Sequence, residues 1–360
     1  MSTRSGRSIA VWGSVLAAAF LTMHGVSAVA APQSAALGQD FTGLLTPEQY
    51  RAAIHDVLGA DIRIGGRLDA IPRVNGLMAL GAGSMSISPS SMEQYDSIAR
   101  SIGAQVTDAR HRNVLIPCTP RASSDADPVC ARRFFSEIGS LLLRRPLSAE
   151  ELALYVDAAG SAAQRLKDFY SGLSLGIAGL LSSPEFLFHQ ERTEPDPEHH
   201  GVRLDGYARA ARLSFFLWGS VPDAHLLTAA RKGELYSAKG LERQVDRMLA
   251  SPRLEQGLRA FFADMLHFDE FANLAKDTAI YPKFSSEVAA DAREQTLRTL
   301  VDLLLTRRGD YRDIFTTKRT FMTKALAAVY RVPLAIDEPN GAPDTWQPYE
   351  FAADDPRAGI

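Results

Sequence analysis

The chain has 360 residues but only two cysteines. That excludes a disulfide-dense scaffold and a four-cysteine metal centre. There is no Cys-x-x-Cys-His, so these residues attach no haem covalently. His-Glu-x-x-His, a calcium-binding loop and a phosphate-cradling glycine loop are also missing. Net charge is only -3 and the basic residues are scattered. No lysine-arginine tract interleaves with aromatics, so nucleic acid is not an expected partner. Beyond the N-terminal region no apolar run approaches the ~20 residues of a membrane helix. Alternating strand patterns are scarce. "SMSISPS" around Met85 and Ile87, and "NVLIP" at Asn113, are the only short ones.

What is present is ordinary globular sequence, 46% apolar and 22% charged. Its length suffices for two or three compact units with cores of their own. The N-terminus has the layout of an export signal. Arg4 and Arg7 form a basic region, Ile9 to Met23 an apolar one, and Ala28-Val29-Ala30 a small-x-small site. Cleavage is expected after Ala30 or Ala31, although an uncleaved anchor remains an alternative. No cysteine follows the apolar region, which argues against a lipoprotein. The expected location is the periplasm or the exterior of the cell, with no stable membrane span after cleavage.

Export changes the meaning of Cys118 and Cys130. They flank a polar loop in "IPCTPRASSDADPVCARRF", and an oxidising compartment favours a disulfide between them. A metal pair is the rival, but no His or Cys partners cluster nearby, and no metal site is expected.

Helix signals fill most of the rest. In "LTPEQYRAAIHDVLGAD", Thr46 and Gln49 form a capping box, Pro47 opens the helix, and Gly59 ends it. In "RRPLSAEELALYV", Ser148 and Glu151 repeat the box, with Leu147 placed to staple onto Leu152. "SPRLEQGLRAFFADMLHF" sets Leu254, Leu258, Phe261, Phe262 and Met265 along one stripe. "SEVAADAREQTLRTLVDLLLTRRGD" is a long helix closed by Arg307, Arg308 and Gly309. The spacing therefore predicts an all-α protein, multi-helix bundle modules in series, with long loops and few or no short strands. Asp69 to Ser91 reads as a long loop, and Glu191 to Leu204 as a charged linker.

"YARAARLSFFLWGSVPDAHLLTAARKGEL" is the densest stretch. Asp205 opens a helix with Tyr207, Ala211, Ser214, Phe215 and Trp218 on one face. Leu213, Phe216 and Leu217 widen the apolar surface, which predicts burial on most sides. Gly219 ends the helix. Ser220 is the expected cap of the next one, with Pro222 and Asp223 in its first turn. Arg212, Trp218 and Asp223 are the candidates for binding. Arg212 is more simply explained by pairing with a carboxylate or a helix C-terminus.

Catalytic signatures are wanting, and no residue is assigned a catalytic role. "GLSLG" matches a Gly-x-Ser-x-Gly elbow around Ser174, but that elbow needs a strand before the serine. The surrounding pattern is helical on both sides. Gly172, Gly176 and Gly179 therefore predict close helix contact. His199 and His200 are adjacent in the linker, and His55, His189, His225 and His267 are isolated.

The stretches from "LDGYARAARLSFFLWGSVPD" to "VDRMLASPRLEQGLRAFFADML" resemble a large exported multi-module family of unknown function, whose members often carry planctomycete-type cytochrome c domains. "LTPEQYRAAIHDVLG", "CARRFFSEIGSLLLRRPLSAEEL" and "GDYRDIFTTKRTFMTKALAAVYRVP" resemble its other modules in the same order. Thr323 stands where the family pattern has asparagine, and Arg331 where it has glycine. The resemblance implies a signal peptide at 1–30, an N-terminal helical module at 41–115 and a second, with the disulfide loop, at 116–192. A central helical domain follows at 203–335, and 336–360 would begin a further, truncated module. It also implies haem c in another part of the full-length protein, with no cofactor in these residues, and a redox partner or polysaccharide as partner. Two readings of function follow: a helical scaffold or accessory module of a redox-associated or polymer-handling protein, or a hydrolytic or oxidative enzyme with a site assembled from several modules.

Overall fold

The computed structural model describes residues 42–334 and 346–360. The expected signal peptide and its cleavage site lie outside them, as do residues 336–345 of the segment that would open the final module. The described chain is mostly α-helical. Helices α1 (Pro47–Leu58), α2 (Met78–Gly81), α3 (Pro89–Thr107) and α4 (Arg112–Leu115) come first. Next come α5 (Pro128–Phe134), α6 (Ser140–Leu142), α7 (Ala149–Leu166), α8 (Phe169–Leu181) and α9 (Pro184–Leu187). The later part holds α10 (Gly206–Trp218), α11 (Ala224–Arg231), α12 (Ala238–Leu249), α13 (Arg253–Met265), α14 (Ser286–Val301) and α15 (Lys324–Tyr330). Among the described residues no helix is long and apolar enough to cross a membrane.

Local chemistry starts these helices where the capping residues say it should. Both capping boxes form, Thr46 with Gln49 and Ser148 with Glu151. Leu147 and Leu152 both pack against the same core. Within the expected loop of Asp69 to Ser91, the chain instead starts α3 at Pro89, because Ser88 caps it by accepting the Ser91 N–H. Thr323 performs the cap expected of asparagine, accepting the Leu326 N–H at 3.2 Å. Arg331 ends α15 with φ 56°, the left-handed conformation that glycine adopts without strain.

Three antiparallel strand pairs accompany the helices, and none lies where the alternation suggested. Asn113 is in α4, and Met85 and Ile87 are in no strand. Strand β1 (Thr42–Leu44) pairs with β2 (Phe188–Gln190), setting Gly43 opposite His189. The supposed linker is a hairpin of β3 (Thr193–Asp196) and β4 (Gly201–Leu204). Its cross-strand pairing is polar: Glu194 faces Arg203, whose guanidinium lies 3.7 Å from the Tyr236 ring centre. An apolar alternation test does not register such a pair. Strand β5 (Arg319–Met322) pairs with β6 (Gln347–Glu350), which brings Phe351 into a core with Met322 and Leu326.

One large core runs from Leu44 to Leu187 and also takes in Val221. The first two helical segments therefore share a single interior. Helix α8 is its axis, packed between α3 and α7. Small residues permit that approach. A methyl group at Gly172 would sit 2.5 Å from the Ala159 carbonyl oxygen, and one at Gly103 would sit 2.5 Å from the Ser174 carbonyl oxygen. Gly179 is different: it is exposed, and a methyl there would meet nothing within 4 Å. Cys118 and Cys130 form the expected disulfide, with Cα atoms 5.6 Å apart.

Two outcomes follow for stability. Gly172→Ala should cost about 1–3 kcal/mol by overpacking. Gly179→Ala should stabilise by roughly 0.5–1 kcal/mol through helix propensity. Urea midpoints of the two variants should therefore move in opposite directions; a shared direction contradicts the packing. Removing the disulfide with Cys118→Ala and Cys130→Ala should cost about 3 kcal/mol, read in the same titration, and unreduced, denatured protein should show no free thiol.

Candidate functional site

The turn after α10 is built by three residues with distinct tasks. Trp218 ends the helix, is 1% exposed, and donates from Nε1 to the Met248 carbonyl at 3.1 Å. Gly219 reverses the chain with φ 64°. Val221 then enters the large core. Ser220 is not the cap of α11. It is fully buried, and its hydroxyl finds no partner among the described residues. Asp223 caps instead, accepting the Leu226 N–H at 2.8 Å and an Arg247 N–H at 2.6 Å. A carboxylate serves the helix N-terminus with one oxygen and the guanidinium with the other, in charge-assisted bonds that a neutral serine hydroxyl does not offer. Burial opposes the charge of Asp223, but Arg247 and the Leu226 N–H outweigh it and hold the carboxyl below its ordinary pKa.

Two arginines that sequence reasoning did not single out complete this cluster. The Arg253 guanidinium lies 4.1 Å from the Trp218 ring centre, and that of Arg247 lies 5.7 Å away. Arg253 also donates to the Val221 carbonyl at 2.8 Å and to the Asp56 carboxylate of α1. Trp218 and Asp223 thus belong to one junction. Arg212 stands apart: its side chain is 64% exposed and pairs with Glu191 at 2.9 Å, the carboxylate partner expected of it.

The aromatic face of α10 is less buried than its composition predicts. Phe215 packs against the large core, with its ring centre 4.0 Å from that of His189, but Phe216 is 80% exposed. Helices α11 and α13 cover the side of Ala210, Ser214 and Trp218. Phe216 is left facing an open cleft. Phe261 leaves its expected stripe for the same cleft and is 55% exposed, while its neighbour Phe262 is 2% exposed.

That cleft has two lobes. The larger, about 610 Å³, lies between α1, α13 and α14, with Phe268 and Phe271 on its wall. The smaller, about 330 Å³, is bounded by Thr46, Met78, Phe215, Phe216 and Phe261. Glu48, Gly219, Ala260, Ala263 and Arg293 line both. Most of the charges around it neutralise one another. Arg259 bonds to Glu255 at 2.8 Å and to Glu294 at 3.0 Å. Asp264 accepts from Arg73 at 2.7 Å and from the Met78 N–H at 2.9 Å, while Arg73 also holds Asp269.

Two titratable groups lie behind this wall, Arg144 buried and His189 half-buried. Arg144 is 5% exposed and donates to the carbonyls of Leu142, Glu185, Phe186 and Phe188; burial lowers its pKa to about 10, which leaves it charged. Burial, reinforced by Arg144, lowers the His189 imidazole to about 3. His189 is therefore neutral, with Nε2 3.3 Å from the Gln49 Oε1 that also serves the capping box. The other sequence candidates do not converge on the cleft. Ser174 is inside α8 against Gly103, with no strand before it. His199 and His200 occupy the hairpin turn, and His199 lies 3.1 Å from Asp196. Among the described residues no group of three or more His, Cys, Asp or Glu side chains is placed to hold a metal ion.

Comparison with known families places three domains along this framework, each described as a protein of unknown function. PSD3 (DUF1587) matches residues 44–108, PSD5 (DUF1595) matches 130–191, and PSD4 (DUF1592) matches 204–332. The chain is a multi-module protein built of these three domains of unknown function in series. No curated protein and no solved structure matches it. The Trp218 junction joins the third domain to the first, and the cleft is lined by both.

Trp218→Ala should cost about 3–5 kcal/mol, the usual range for truncating a buried large aromatic. Guanidinium titration followed by far-ultraviolet circular dichroism reads it. An unchanged midpoint contradicts the place of Trp218 as a packing anchor.

Proposed function

We propose that the chain is an exported helical scaffold, an accessory part of a redox-associated or polymer-handling protein. In this proposal residues 1–30 are removed on export, and the protein works in the periplasm or outside the cell. Haem c sits elsewhere in the full-length protein, and the partner is a redox protein or a polysaccharide. The family resemblance supports the association, and the Cys118–Cys130 disulfide suits an oxidising compartment.

The observation that carries the scaffold reading is the use made of arginine. Arg73 of the first domain is held by Asp264 and Asp269 of the third. Arg253 of the third is held by Asp56 of the first. Arg144 ties the α6 end to α9 and β2. Each guanidinium joins separate segments, which fixes their relative placement and leaves it no reacting atom to serve. The cleft between domains favours the second reading, a hydrolytic or oxidative enzyme with a site assembled from several modules. Its acids are less suited to that reading, because Asp264 and Glu294 already have arginine partners.

A scaffold requires a fixed distance between its ends. Spin labels on α1 and α14 should give one narrow distance in the wild type. Asp264→Ala removes the acceptor of Arg73 and of two backbone N–H groups. It should broaden that distribution and cost roughly 1.5–3 kcal/mol, the range for hydrogen bonds to a charged group. A broad distribution in the wild type contradicts the scaffold reading.

A further inference from the structure

We infer that the two-lobed cleft binds a small ligand with an apolar body and a single carboxylate, and that Arg293 is its anchor. The inference does not depend on the scaffold reading. The lobes, about 610 and 330 Å³, share five lining residues and so adjoin one another. Each is within the ordinary range for small-molecule sites, roughly 300–1,000 Å³. The space persists because Ala260 and Ala263 stand where larger side chains would fill it. Gly257 has a packing reason of its own: a methyl there would collide with the Leu217 carbonyl. Ala260 and Ala263 are otherwise unexplained.

The chemistry of the ligand follows from what is left over. Arg259, Glu294, Asp264 and Asp269 are engaged with one another or with Arg73. Arg293 lines both lobes, is exposed, and forms no ion pair or hydrogen bond with a described residue. The Gln256 side chain borders the larger lobe, but its amide nitrogen is shut off from solvent and so from a ligand there. The walls thus offer one unmet donor, the Arg293 guanidinium, beside aromatic rings. A planar carboxylate matches the guanidinium fork with two parallel hydrogen bonds. Its apolar body would displace water from Phe268 and Phe271 in one lobe, or from Phe216 and Phe261 in the other. Glu48 is at the same waist, with its side chain 46% exposed and Arg51 at 3.9 Å as its ion-pair partner. It disfavours a second negative charge, which limits the ligand to one carboxylate.

Isothermal titration calorimetry with ω-phenylalkanoates from phenylacetate to 6-phenylhexanoate tests this, with 4-phenylbutyramide as the neutral control. At least one acid should bind the wild-type chain saturably, and the amide at least about tenfold more weakly. Arg293→Gln should weaken the acid by about tenfold or more while leaving the amide and the melting temperature unchanged. Ala260→Leu, which narrows both lobes, should abolish binding of acid and amide alike. The absence of saturable binding across the whole series overturns the inference. So does equal affinity of the acid for wild type and Arg293→Gln, or binding that survives Ala260→Leu. These readouts are heats of binding, whereas the scaffold reading stands on inter-label distances, so either can fail without the other.

Discussion

The Arg253 guanidinium is the contact on which the arrangement of domains depends. One of its faces lies over the Trp218 indole, and its N–H groups reach the Val221 carbonyl and the Asp56 carboxylate. Each partner belongs to a different structural task. Trp218 closes the core of α10 to α12, Val221 is buried in the large core of the first two domains, and Asp56 lies on α1. An arginine suits this position because its plane stacks on an aromatic ring while its edge donates. A lysine would supply the charge but neither the stacking nor the fork. Gly257, one turn further along α13, lets that helix press against the Leu217 carbonyl. The aromatic-rich turn is therefore a wedge driven from one domain into the core of another, and its dense apolar character has a packing cause.

The same economy of small residues explains the packing of α3, α7 and α8. Helix α8 has close neighbours on two sides, and Gly172 and Gly176 face α7 while Gly103 of α3 faces Ser174. Backbones at such separations exclude a nucleophile elbow, because Ser174 Oγ is directed at a helix and not at an open pocket. What looks like a catalytic signature is a packing signature: glycine is selected wherever two backbones come within a methyl group of each other.

Helices and their starts were legible in the sequence because capping is local. Thr46 with Gln49 and Ser148 with Glu151 need only three residues to declare a helix N-terminus. The disulfide was legible from the short spacing together with the export expected of the N-terminal pattern. Three features were not. The β3–β4 hairpin is held by a polar pair, Glu194 with Arg203, so it has no apolar alternation to detect. Asp223 displaced Ser220 as the cap because Arg247, twenty-four residues away, rewards a carboxylate there. Phe216 and Phe261 were expected in the interior. Helical periodicity assigns a residue to a face, but it cannot say whether another helix covers that face. Of the three candidate binding residues, Trp218 and Asp223 share a junction and Arg212 does not. The cleft residues Glu48, Gln256 and Arg293 come from two domains, so no linear motif joins them.

The clamps and the cleft have a common physical origin. Arg73 with Asp264 and Asp269 joins the segment after α1 to the end of α13, and Arg253 with Asp56 joins α1 to the start of α13. Helix α13 is thus tied to the first domain at both of its ends. Between the ties it carries Ala260 and Ala263, which are too small to reach across to α1. Two fixed ends with a row of small side chains between them leave a space that side-chain relaxation cannot close. Ion pairs suit this task better than apolar contacts. They hold a defined separation by directional bonds, whereas an apolar contact between α1 and α13 would gain free energy by collapsing the space. The arginines that join the domains are in this way also what keeps the cleft open, and Arg293, on the facing side of α14, is the guanidinium in it with no carboxylate partner among the described residues.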